Sequence, residues 1–119
     1  METTKTKTVD INENDITIGF EMSLKVRFWR FLICSFYELK RDDALMNALQ
    51  SFRRYIKGQT IPENKKIVDY RFINYTRKIY RCKNQQILQK IEANLNQEDN
   101  VVYREWLEDK IKESYSRLL

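Results

Sequence analysis

Histidine is absent from this chain, and with it go the commonest general base, the commonest metal ligand and the usual partner of a nucleophilic serine or cysteine. Glycine occurs only at Gly19 and Gly58, so no glycine-rich loop can bring backbone N–H groups against a phosphate, which excludes nucleotide hydrolysis of the common kind. Pro62 is the single proline. The many tight turns of an all-β fold therefore lack their usual residues, and helices are the natural remainder. Cys34 and Cys82 are the only thiols, too few for a four-ligand zinc site. They read as buried and reduced. The rival is a disulfide, which would mark an oxidising compartment, but no apolar segment with a small-residue cleavage site opens the chain, and a cytoplasmic location is expected. The most apolar stretch, Phe28 to Leu39, is broken by Arg30 and falls short of the roughly 20 residues that cross a bilayer, so no transmembrane helix is expected.

What remains is a 119-residue chain with 42% hydrophobic and 13% aromatic residues, enough for one core that buries roughly 65% of the surface of the unfolded chain. The pattern predicts an all-α fold, a compact bundle of four to five helices. Residues 1–20 are expected as a flexible or extended N-terminal tail, with Ile16, Ile18 and Phe20 alternating as in a short extended segment, and residues 21–119 as one helical domain.

A first helix is predicted from about Glu21 to Lys40, buried through Leu24, Phe28, Leu32, Cys34, Phe36 and Leu39, with Trp29, Ile33 and Tyr37 widening the stripe. It is expected to be the central helix, packed by the others. A second starts with Asp42 as cap and carries Ala44, Leu45, Ala48, Leu49, Phe52 and Ile56 on one face, with Gly58 in the left-handed terminating position. Thr60-Ile61-Pro62-Glu63 has the form of a capping box opening a third helix, whose apolar face is Val68, Phe72, Tyr75, Ile79 and Cys82. Asn84 is placed to cap a fourth helix with Ile87, Leu88, Ile91 and Leu95. Asp99 or Asn100 is placed to cap a fifth with Tyr103, Trp106, Leu107, Ile111 and Leu118.

The formal net charge of +5 is unevenly spread: residues 61–90 carry 8 basic and 2 acidic groups, residues 91–119 carry 4 and 7. On the third helix Lys66, Tyr70, Arg71, Arg77, Lys78 and Arg81 fall opposite the apolar face at 100° per residue. Such a stripe suits the phosphates of a nucleic acid, with Tyr70 and the arginines available to stack on unpaired bases. The blander alternative is a solvated helix face, partly cancelled by Glu105, Glu108, Asp109 and Glu113 of a last helix lying near it. A third alternative is that the stripe docks an acidic protein or a membrane surface. A protein interface is the other candidate site: Arg27, Trp29 and Arg30 on one edge, with Trp106, if the tryptophans are anchors rather than core. Asp42–Asp43 and Glu108–Asp109, adjacent in sequence, point apart on a helix and read as caps and solvated surface rather than a catalytic pair.

The segments SFRRYIKGQTIPENKK, YRFINYTRKIYR and VVYREWLEDKI resemble the helical carboxy-terminal segments of larger uncharacterised bacterial proteins. The resemblance implies a bacterial cytoplasmic origin and carries no activity. The functional expectation is a non-enzymatic interaction module that binds another protein or itself, with nucleic-acid binding by the third helix as the alternative. No catalytic residue, metal, cofactor or small-molecule substrate is indicated.

Overall fold

The computed structural model describes residues 13–119, and their side chains from Ser23 onward. Five helices follow one another: α1 (Glu13–Glu38), α2 (Asp42–Lys57), α3 (Glu63–Arg81), α4 (Gln85–Gln97) and α5 (Arg104–Leu118), with no strand among the described residues. The all-α bundle is as predicted. The predicted tail lies partly over residues 1–12, outside the described residues. Where an extended segment is expected over residues 16–20, the backbone is already helical. A solitary extended segment would leave its N–H and C=O groups without partners, whereas a helix satisfies its own.

Helix ends depart from the sequence pattern more than helix faces do. Asn84 caps α4 as predicted, its Oδ1 accepting from the Gln86 and Ile87 N–H groups at 2.7 and 3.1 Å. Four other ends differ from expectation, the first being the start of α2, where Arg41 holds the cap position and Asp42 is the first helical residue. Gly58 closes α2 at φ −81°, in the right-handed region. The Thr60 capping box does not form, because Thr60 lies two residues before the cap position: Pro62 holds that place, and its carbonyl accepts from the Lys65 and Lys66 N–H groups. Tyr103, at φ 58°, precedes α5 in place of Asp99 or Asn100. The end of α4 is closed from outside, by the Arg104 guanidinium donating to the Leu95 carbonyl at 2.6 Å and to the Glu98 carbonyl.

Packing runs α1 on α2 and α2 on α3, while α3 also meets α4 and α5, which pair with each other. The hub is therefore α3, not the first helix as the sequence suggests. The core is filled by Leu45, Leu49, Phe52 and Ile56 from α2, Phe72, Ile73 and Ile79 from α3, Leu88 and Leu95 from α4, and Leu107 and Ile111 from α5. Each such side chain contributes about 1.5–3 kcal/mol by leaving water.

The rotation of α1 also differs from expectation. Ile33 and Tyr37 are its buried residues and Val26 and Trp29 pack beside them, whereas Leu24, Phe28 and Leu39 of the predicted inner stripe are exposed. Two contacts fix this rotation. The Arg30 Nε donates to the Asp69 Oδ1 of α3 at 2.8 Å, and the Trp29 ring stacks on Phe52 of α2 with centroids 6.2 Å apart. None of the described helices is long and apolar enough to cross a membrane.

Candidate functional site

The basic face of α3 is divided between the fold and the solvent. Lys66 is only 8% exposed, contrary to the outward position expected of it. Its Nζ donates to the Lys57 carbonyl at 3.1 Å and lies 3.5 Å from the Glu63 carboxylate, so it ties the end of α2 to the start of α3. Arg71 is likewise engaged, donating to the Asp99 carbonyl with its Nε 3.3 Å from Glu98. Tyr70 is half-buried beneath the Arg53 guanidinium, 4.9 Å from its ring centroid. Arg77 is half-buried and shares the Asn74 Oδ1 with Arg53, at 3.3 and 3.4 Å. Lys78 and Arg81 stay exposed.

Among the described residues the acidic last helix makes no ion pair with this stripe, and Glu113 instead pairs with Lys110 at 2.8 Å. Lys110 is buried and also reaches Glu38 of α1 at 2.6 Å. That hydrogen bond holds the Glu38 carboxyl below its usual pKa of 4.5, with a smaller contribution from the Trp106 N–H. Burial alone would lower the Lys110 pKa, but hydrogen bonds to Glu113 and Glu38 outweigh it and raise the value above 10.5.

The residues foreseen as a protein interface do not come together as one. Arg27 is exposed, whereas Trp29 and Arg30 turn inward through Phe52 and Asp69. Trp106 packs against the C-terminal end of α1, its Nε1 donating to Glu38 at 3.0 Å and its ring 5.1 Å from Tyr37. Both tryptophans thus join helices of the bundle.

The exposed apolar surface lies elsewhere on α1. Leu24, Phe28 and Phe31 are 47%, 59% and 66% exposed and recur at i, i+4 and i+7, on the side opposite Ile33 and Tyr37. Lys25 and Arg27, both exposed, border this stripe on its two sides. Phe31 lies outside the predicted stripe, although its spacing from Leu24 and Phe28 is the available signal.

Two of the surface concavities bring titratable or charged side chains of different helices together. One, of about 270 Å³, lies among Tyr37, Tyr80, Ser114, Lys83 and Arg117. Tyr80 donates its hydroxyl to Asp42 there, and burial pushes the phenols of both tyrosines up to about 12, so neither is an activated base or nucleophile at neutral pH. Cys34 is equally inert, its thiol pushed up to about 12 by burial and by nearby Glu38. Both cysteines are free, and among the described residues no cluster of three or more His, Cys, Asp or Glu side chains is placed to hold a metal ion. The second concavity, about 480 Å³, runs between the end of α3 and the start of α4.

Compared with known proteins, the chain matches no family model, no curated protein and no solved structure.

Proposed function

We propose that the protein is a non-enzymatic docking module that binds an amphipathic helix of another protein along the outer face of α1. One observation carries this reading: a helix already packed through Ile33 and Tyr37 presents a second apolar stripe, Leu24, Phe28 and Phe31, to solvent. A helix apolar on both sides is built to be covered on both sides. The flanking Lys25 and Arg27 favour a partner with carboxylates at the edges of its own stripe. They disfavour a second copy, because either orientation of a self-pair sets these like charges against each other. Cytoplasmic location belongs to the same proposal, supported by the two free thiols.

A photo-crosslinking residue placed at Phe31 tests the reading in the native cell. The expected result is one discrete covalent product that disappears when Phe28→Asp is added, while the same probe at exposed Gln50 of α2 yields none. Absence of any product from positions 24, 28 and 31 rejects the reading.

Nucleic-acid binding is a second reading with its own observation. From Tyr70 to Ile91 the chain carries no carboxylate, and Arg77, Lys78, Arg81, Lys83 and Lys90 are all in that span. On this reading oligonucleotide binding weakens steeply with salt, and Arg77→Ala with Arg81→Ala lowers the slope of log K against log salt by about two. No binding at low salt rejects it.

A further inference from the structure

The groove between α3 and α4 lies apart from the α1 stripe, and its four cations are shared with the nucleic-acid reading. Lys78, Arg81, Lys83 and Lys90 line it, all four exposed, and no carboxylate does. Among the described residues Arg81, Lys83 and Lys90 make no side-chain hydrogen bond or ion pair, and Lys78 has only the Tyr75 ring, 6.0 Å away. Four cations around one concavity raise the local positive potential, and among the described residues no carboxylate lines it.

Between these cations the lining is apolar. Cys82 and Ile91 are buried at its base, and Ile87 stands 53% exposed at its side. An isoleucine left in water beside four unpaired cations fits a ligand with an apolar part as well as an anionic one. The volume of about 480 Å³ is that of a small-molecule site.

We propose that this groove binds a small soluble anionic amphiphile, with a phosphate or carboxylate head held by Arg81, Lys83, Lys78 and Lys90 and a short aliphatic chain lying over Ile87, Ile91 and Cys82. The lining contains no aromatic ring, so an unpaired base finds no stacking platform, which separates this site from the nucleic-acid reading. The head is held by side chains rather than by the start of α4, since the Asn84 side chain already occupies the Gln86 and Ile87 N–H groups.

Octyl phosphate, titrated below its aggregation concentration and followed by two-dimensional NMR, tests the proposal, with octanol and inorganic phosphate as the two halves of the probe. Saturable one-to-one binding is expected, with shifts confined to residues 78–94 and each half at least tenfold weaker than the whole. Arg81→Ala with Lys83→Ala should weaken octyl phosphate at least tenfold. Ile87→Ser should weaken it at least threefold while leaving oligonucleotide binding unchanged. These side chains are exposed, and unchanged far-ultraviolet circular dichroism confirms that the variants fold. The proposal is overturned if shifts spread over all surface cations without saturating, or if inorganic phosphate binds as tightly as octyl phosphate. It is also overturned if octyl phosphate does not bind while anionic phospholipid vesicles do, because the surface would then be reading a membrane.

Discussion

Helices α1 and α3 break the inside–outside rule in opposite directions. On α1 the departure is apolar and outward: Leu24, Phe28 and Phe31 stand in water. On α3 it is polar and inward: Lys66, Asp69 and Thr76 are buried beside Phe72, Ile73 and Ile79. The two are linked through Arg30, which must turn in to meet Asp69 and so sends the far side of α1 outward. A buried carboxylate is expensive unless paired, whereas exposed aromatic surface costs little until a partner arrives, so the polar contact decides the rotation.

Removing that contact is the strongest test of the contrast. Arg30→Ala leaves the Asp69 carboxylate buried without its cation and should cost about 3–5 kcal/mol in urea denaturation. Replacing both partners, Arg30→Met with Asp69→Leu, should return most of that loss. Phe28→Ser and Phe31→Ser on the opposite side should each change stability by no more than about 0.5 kcal/mol. A large loss from the phenylalanines, or none from Arg30→Ala, would reverse the assignment of which side of α1 holds the bundle together.

These two helices also mark how far the sequence could be read. The α2, α4 and α5 stripes are largely legible: Leu45, Leu49, Phe52 and Ile56, then Leu88, Ile91 and Leu95, then Leu107 and Ile111, are buried as their spacing predicts. Ile87 and Tyr103 of the same predicted stripes are exposed. On α1, periodicity has two solutions, and the choice rests on Asp69, 39 positions further along the chain. Lys66 was misplaced for a related reason: its long stem lets the charge reach the Lys57 carbonyl from a position that counts as polar by spacing. The free cations at Lys78 and Arg81 were visible in the charge pattern. Their convergence with Lys83 and Lys90 on one groove depends on how α3 turns into α4, and no local pattern encodes that.

A pH series sharpens the comparison by titrating groups of both helices. Because the folded Glu38 carboxyl lies below 4.5, its contribution is present above that pH and lost as pH falls through the folded value. Glu38→Gln should therefore flatten the acid limb of stability. At the alkaline end, Tyr37 of α1 and Tyr75 and Tyr80 of α3 are raised from 10 to about 12, chiefly by burial. The unfolded chain then releases these protons first, so stability present below pH 10 should fall between pH 10 and 12. Urea midpoints across this range measure the fall, and Tyr37→Phe should reduce its slope. Cys34, raised from 9.0 to about 12, begins the fall earlier, and with no histidine in the chain the interval from about pH 6 to 8 should be nearly flat.

The smallest effect concerns the buried hydroxyl of α3. Thr76 is fully buried, and among the described residues its Oγ1 is the buried side-chain atom left without a hydrogen-bond partner. An unpaired hydroxyl in an apolar setting opposes folding by about 1–3 kcal/mol, against which a methyl group in its place must fit a close-packed site. Thr76→Val keeps the branched shape and removes the unpaired dipole, and a helix tolerates both residues about equally. Stability should therefore stay constant or rise by up to about 1 kcal/mol. A loss of more than about 1 kcal/mol would mean that the hydroxyl has a partner in solution, and would place Thr76 with Lys66 and Asp69 among the polar groups that orient α3 rather than among those it merely carries.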